Sequence, residues 1–274
     1  MRNKITFLLV VFATTFSFGQ VLINEDFTYP DSALTTNGTW TAHSGAGANP
    51  VQVSSNEIIL THGSGSREDV NLTFTSSATT IYAGFDIVVN NAAPISGSDS
   101  EYFAHFNTTG FVARVDIVPP SGAGDFRVGI ASSASTAEAT SPVDLTFGVT
   151  YRVVVRYSVT TGVANLWIDP SLETDASATA LGSGTGTAVS SFAFRQSNSS
   201  SDETISIDNL IVSESFMDSN TLSTGEITSN NDFILYPNPV EDSKQITIQG
   251  INRNTSVTIH NVLGNEVLKT TITN

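Results

Sequence analysis

Along most of the chain, apolar and polar side chains alternate in short runs that turn residues interrupt. Phe111, Ala113, Val115 and Ile117 fall on one side of such a run, Arg114 and Asp116 on the other; Phe126, Val128 and Ile130 oppose Arg127 in the same way. A period of two marks a half-buried strand, and no stretch keeps a 3.6-residue period through more than two helical turns. These runs predict strands at 21–28, 57–61, 70–75, 80–90, 101–107, 111–118, 125–131, 151–159, 163–169, 189–196 and 204–213. The separators, among them Gly45-Ala46-Gly47, Pro119-Pro120-Ser121-Gly122 and Gly182-Ser183-Gly184-Thr185-Gly186, fit turns. Strands without a βαβ alternation predict an all-β fold, two antiparallel sheets packed face to face.

The two ends read differently. Met1-Arg2-Asn3-Lys4 is basic, 5–18 is apolar apart from Thr and Ser, and Ser17 and Gly19 place small residues before Gln20. That is the pattern of a secretory signal peptide over 1–19, too short for a permanent span. No later run approaches 18 apolar residues, so no membrane span is expected after the leader. Residues 20–217 then form the β body, 218–231 a polar linker free of aromatics, and 232–274 a second, smaller β segment.

Composition narrows the chemistry. The 274 residues carry 26 acidic and 11 basic side chains, a formal charge of −15, which opposes binding to nucleic acid or anionic membranes. The absence of cysteine excludes disulfides, thiolate metal sites and cysteine nucleophiles. With 39% hydrophobic residues and 16 Phe there is enough apolar volume for a core.

Two resemblances follow from particular motifs. The tail carries Leu235-Tyr236-Pro237-Asn238-Pro239, Ile246-Thr247-Ile248 and Asn261-Val262-Leu263-Gly264. In these it resembles the type A C-terminal sorting domain of the type IX secretion system of certain Gram-negative bacteria. The resemblance implies passage through the periplasm, the outer-membrane secretion machinery as partner, and a final place outside the cell or on its outer surface. Family members continue with a Gly-x-Tyr strand and a last basic strand; ending at Thr273-Asn274, residues 232–274 read as a truncated copy.

The body opens with Ile23-Asn24-Glu25-Asp26-Phe27 and closes with Ile205-Ser206-Ile207-Asp208-Asn209-Leu210-Ile211-Val212. With Val163-Ala164-Asn165-Leu166-Trp167-Ile168-Asp169-Pro170 and Phe192-Ala193-Phe194-Arg195-Gln196 between them, it is similar to concanavalin A-like jelly rolls of the laminin G and lectin type. That similarity implies first and last strands side by side. Such domains include lectins, binding modules, adhesion domains, glycanases and polysaccharide lyases, so activity is left open.

Catalytic patterns are missing. No Glu-x-Asp-x-x-Glu or Gln-x-His string of the glycanase and lyase members occurs, and Glu25-Asp26 and Glu68-Asp69 are adjacent pairs that a strand sends to opposite faces. His43, His62, His105 and His260 lack ligand spacing; His105 alternates with Glu101 and Phe103 and reads as a sheet histidine. No catalytic residue is therefore assigned.

Two constellations remain. Arg67 and Glu68 precede a strand, and Arg114, Arg127 and Arg195 project from apolar strands. On adjacent strands they would line a groove for sugar hydroxyls, with Trp167 or Tyr157 as stacking platform; the alternative is solvated arginines paired to carboxylates and a core Trp167. The jelly-roll resemblance further implies a structural calcium on Asp208 with Glu25 or Asp26, against an alternative in which Asp208 merely caps a sheet edge. The expected function is a non-catalytic module binding a polysaccharide or cell-surface glycan. An atypical lyase or glycanase, and a structural adhesin or matrix protein, are the alternatives; convergence of His105 with a Tyr, or of two carboxylates, would favour the enzyme.

Overall fold

The computed structural model describes residues 19–97, 101–108, 110–197 and 202–221, and four tail strands at 234–236, 247–249, 255–260 and 266–272. The predicted leader up to residue 18, most of the linker, and the Pro237-Asn238-Pro239 and 261–264 motifs lie outside the described residues. The chain divides into two units, Met1–Ser223 and Thr224–Asn274.

In the first unit the strands run β1 (Val21–Glu25), β2 (Ser32–Ala33), β3 (Thr41–Ser44), β4 (Gln52–Ser54), β5 (Glu57–Thr61), β6 (Asp69–Thr73), β7 (Thr80–Asn90) and β8 (Glu101–Asn107). They continue with β9 (Phe111–Val118), β10 (Arg127–Ala131), β11 (Ala139–Thr140), β12 (Thr150–Ser158), β13 (Ala164–Ile168), β14 (Ala178–Ala180), β15 (Ser191–Phe194) and β16 (Thr204–Ser213). Nine strands form one antiparallel sheet in the order β14-β13-β12-β7-β16-β5-β4-β2, with β1 also on β16; seven form the other, β11-β10-β9-β8-β15-β6-β3. The first and last strands are neighbours: Ile23 pairs with Val212 and Glu25 with Leu210. The long apolar-alternating runs all became strands; the short strands β2, β3, β4, β11 and β14 carry too few residues to show a period.

The two inner faces enclose a phenylalanine core. Phe85 of the nine-stranded sheet meets Phe103 and Phe194 of the other edge-on, at centroid distances of 6.1 and 5.7 Å. Such edge-to-face contacts contribute about 0.5–1.5 kcal/mol each beyond burial.

The body runs past the limit of 217 read from the sequence. Helix α1 (Phe216–Asn220) lies on the outer face of the nine-stranded sheet, where Phe216, Tyr82, Val154 and Trp167 make a second small core. Gly84 makes room for it: a Cβ there would sit 1.7 Å from the Ser219 carbonyl oxygen. The polarity of 218–220 misled the linker reading, because the helix is held through backbone carbonyls. Arg152 Nη2 donates to the Ser219 and Thr221 carbonyls at 2.7 and 3.1 Å.

In the second unit β17 (Ile234–Tyr236) pairs with β18 (Thr247–Gln249), and β19 (Thr255–His260) with β20 (Glu266–Ile272), both antiparallel.

Candidate ligand-binding face

The outer face of the seven-stranded sheet owes its side chains to two irregularities. In β8, Phe103 and Ala104 both turn into the core, and the pairing with β9 slips on either side of Ala104. Tyr102 and His105 are thereby both left outside, their rings 5.5 Å apart. In β9, Ala113 adopts φ +49°, a region that costs a non-glycine residue about 1–2 kcal/mol. Val112 and Ala113 turn inward, and Phe111 joins Arg114 outside. Strict alternation therefore misplaced two residues: Phe111 does not share the side of Val115, and His105 does not share that of Phe103. Bulges re-aim side chains in this way and concentrate beside functional sites.

The resulting cluster is compact. The guanidiniums of Arg195 and Arg114 lie over the Tyr102 ring, 4.3 and 4.8 Å from its centroid, and Arg114 is 5.5 Å from that of Phe111. Arg195 Nη1 donates to Glu101 Oε2 at 3.0 Å and to the Tyr102 carbonyl at 3.3 Å. Arg114 Nη1 donates to the Ala134 carbonyl at 2.9 Å, while its Nε is buried without a hydrogen-bond partner. Beneath them His105 is fully buried, its ring tilted against those of Phe111 and His43 at centroid distances of 4.5 and 5.5 Å.

Electrostatics follow from burial. His105 Nδ1 faces the Phe106 carbonyl at 3.1 Å and so carries the proton, which leaves Nε2 as an unpartnered acceptor. Burial, reinforced by His43, Arg114 and Arg195, pushes the His105 pKa down to about 3, so the ring is neutral under ordinary conditions. Burial raises Tyr102 above the usual phenol range, the two arginines opposing it. Asp69, buried behind Arg195 and His43, is also raised by desolvation, although Ser44 and Gln196 donate to its carboxylate. The face offers two aromatic rings, Tyr102 and Phe111, tilted by 47° to each other, and fork-shaped donors, which suits ring contact and hydrogen bonding to a sugar.

The other expected ligand residues are elsewhere. Arg127 shares the outer face but sits at the far end of β10, opposite Val118, while Arg114 faces Ala131, about 13 Å away along the strand. It is occupied by the Pro119 carbonyl, Thr140 and Asp144. Arg67 lines a separate cleft of about 400 Å³ with Asn49, Gln52, Ile59, Thr61 and Gln196. Glu68 is buried, its oxygens accepting from Thr35 and the Gly47 amide. Trp167 and Tyr157 are corrected as stacking platforms. Trp167 is 3% exposed in the nine-stranded sheet, beneath α1, and Tyr157 is in the main core with its hydroxyl accepting from the Thr187 amide. Both alternate with apolar neighbours, which reads as readily for a core position as for a platform.

Of the residues expected to hold calcium, Glu25 is separated from Asp208 by the sheet. Glu25 points to the core side of β1, where Oε1 accepts from the Phe27 amide and Oε2 from the Tyr29 hydroxyl and Trp40 Nε1. Asp208 lies on the opposite, outer face, in a cleft of about 170 Å³ with Glu57, Asp86, Thr150, Ser206 and Asn209. Asp26 is exposed and accepts from the Thr28 amide. Adjacent strands were legible; the side chains' faces were not, because the pairing of β16 with β7 slips between Asp208 and Ile211. Among the described residues no three or more His, Asp or Glu side chains are grouped to hold a metal ion.

Tyr102, Phe111 and His43 were missed as members of the face. The usable signal was local: an aromatic flanking each of the two arginine-bearing strands.

Comparison with known proteins separates tail from body. Residues 234–274 match the family described as the secretion system C-terminal sorting domain. Such a domain directs export to the cell surface or beyond it, and no helix among the described residues is long and apolar enough to cross a membrane. No curated protein matches the chain. Among solved structures the chain is similar to a sialidase, at 13% identity and a TM-score of 0.45 over 71% of this chain and 19% of that one. It is also similar to the botulinum neurotoxin serotype C1 binding domain, at 13% and 0.47 over 73% and 50%. The metal-free lectin I-B4 from Griffonia simplicifolia aligns at 9% and 0.43 over 69% and 98%. The chain thus spans about a fifth of the sialidase and half of the toxin chain.

Proposed function

We propose that the jelly-roll body of this exported protein is a non-catalytic saccharide-binding module whose ligand lies on the outer face of the seven-stranded sheet. One observation carries the reading: Tyr102 and Phe111, both half-buried, form an aromatic floor to which two guanidiniums are fixed. A sugar ring stacks on such a floor while its hydroxyls accept from the arginines. Export by the type IX route, with an amino-terminal leader for the inner membrane, would place that face before extracellular polymers. The test is to pass the full-length protein over immobilised polysaccharides, scoring retention and released product separately. Tyr102→Ala is expected to lower retention about tenfold, a loss of one stacking contact; unchanged retention would sink the reading.

A lyase is the second reading, because Tyr102 and His105 do converge, at 5.5 Å. A general base must reach the proton it removes, and His105 is fully buried with a pKa near 3. Retention without product release is the expected outcome.

A further inference from the structure

Resting on that reading and extending it to ligand class, we infer that the face selects saccharides bearing an anionic group, a carboxylate or a sulfate ester, and that the Arg114 guanidinium receives it. Residues 20–217 contain 20 acidic and 6 basic side chains, all six basic ones arginine. Four of these have a carboxylate within 4 Å: Arg127 with Asp144, Arg152 with Asp86, Arg156 with Glu173 and Arg195 with Glu101. Among the described residues, Arg67 and Arg114 have none. Arg67 lies in its own cleft without an aromatic surface. On the aromatic floor, Arg114 is the arginine for which no carboxylate lies within 4 Å among the described residues.

Its setting fits an anion. The guanidinium rests on Tyr102 and Phe111, and its hydrogen bond to the Ala134 carbonyl fixes Nη1. Among the described residues nothing accepts from Nη2. A planar fork pinned before binding loses little freedom when it meets a carboxylate or sulfate. Asp116, two residues along the strand, is fully buried opposite Gly129. Glu101 sets polarity along the floor. Its pairing with Arg195 makes that end unfavourable to a second anion, so the acidic group is directed to the Arg114 end. The net charge of −15 opposes approach of a densely charged polymer, so the recognition is a local contact rather than long-range attraction.

The experiment uses the full-length protein and matched pairs at physiological ionic strength: polygalacturonate with its carboxyl-reduced form, and a sulfated galactan with its desulfated form. At least one acidic member is expected to bind about tenfold or more tightly than its neutral twin, the scale of one hydrogen bond to a charged group. Arg114→Gln is expected to erase that preference, and Arg114→Lys, which keeps the charge but not the fork, to retain part of it; the lysine variant decides the matter if the glutamine variant does not fold. The carboxylate and sulfate arms tell the two acid groups apart. Equal binding of the twins, or a preference that survives both substitutions, overturns the inference and leaves the saccharide reading standing. Binding of no polysaccharide, neutral or acidic, overturns that reading and this inference with it.

Discussion

Asp86 of β7 and Asp208 of β16 stand directly opposite each other on neighbouring antiparallel strands, sharing their cleft with Glu57. Like charges so placed repel. Asp86 is compensated by Arg152 at 3.1 Å and by the Asn209 amide at 2.8 Å. Asp208 accepts from the Asn209 backbone amide, and burial, with Asp86, Glu57 and Asp26 adding to it, pushes its pKa up to about 6. A carboxyl raised above its unfolded value of 3.8 holds a proton in the folded state that the unfolded chain has released. Its contribution is thus most favourable at low pH and is lost as pH rises from about 4 through 6. Asp208→Asn should therefore stabilise the protein at pH 7 by about 1 kcal/mol, the shift being discounted for a group that is half in solvent. Chemical denaturation at pH 7 and pH 4.5 would show the gain at the first and little at the second; a loss of stability at pH 7 contradicts the assignment.

His105 acts in the same window with the opposite sign. Its folded pKa, near 3, lies below the ordinary 6.5, so the unfolded chain takes up the proton first. Stability falls as pH drops from about 6.5 toward 3. His105→Phe keeps the ring among Phe111, Tyr102 and His43 and removes the unpartnered Nε2, at the cost of the bond to the Phe106 carbonyl. The variant should match the parent within about 1 kcal/mol at pH 7.5 and exceed it at pH 4.5. Its saccharide retention should persist, whereas a lyase would lose all activity.

How much the sequence disclosed depended on whether a residue's side of the sheet followed from alternation. Strands such as β7 and the first half of β16 were legible because Phe85, Ile87 and Val89, or Ile205 and Ile207, alternate without interruption. The pairing of β1 with β16 was implied by the family resemblance alone. The candidate face was only half legible: Arg114 and Arg195 were named, but Tyr102 and Phe111 were not. The inward pair Phe103-Ala104 and the positive φ of Ala113 depend on register against neighbouring strands, which no local pattern encodes. Trp167 failed for a related reason: a third layer, α1, covers the outer face of its sheet.

Arg152 ties that layer down. It is 5% exposed and donates to Asp86 and to the carbonyls of Asn209, Ser219 and Thr221. Removing one partner of a buried pair leaves the other charge uncompensated, typically at about 3–5 kcal/mol. Arg152→Met should cost that much, and the double variant Arg152→Met, Asp86→Asn should recover part of it. Because the carbonyls of α1 lose their donor in both, tryptophan fluorescence from Trp167 should shift to the red in both. A single variant as stable as the parent would show that Asp86 finds another partner.

Chelation bears on the first strand. The two oxygens of Glu25 accept three hydrogen bonds, from Phe27, Tyr29 and Trp40, at 2.7–3.0 Å. The pairing with Glu25 raises the Tyr29 phenol well above its ordinary range, after burial itself. A hard cation with six to eight oxygen ligands would have to displace those donors, and Asp208 cannot reach Glu25 from the other face of the sheet. EDTA should therefore leave the melting temperature of the full-length protein unchanged. Glu25→Gln, by contrast, should lower stability by about 1–3 kcal/mol, because the amide offers one acceptor oxygen where the carboxylate offers two charged ones. If calcium raised the melting temperature of the parent but not of Glu25→Gln, the carboxylate would be a ligand and this account of β1 would fail.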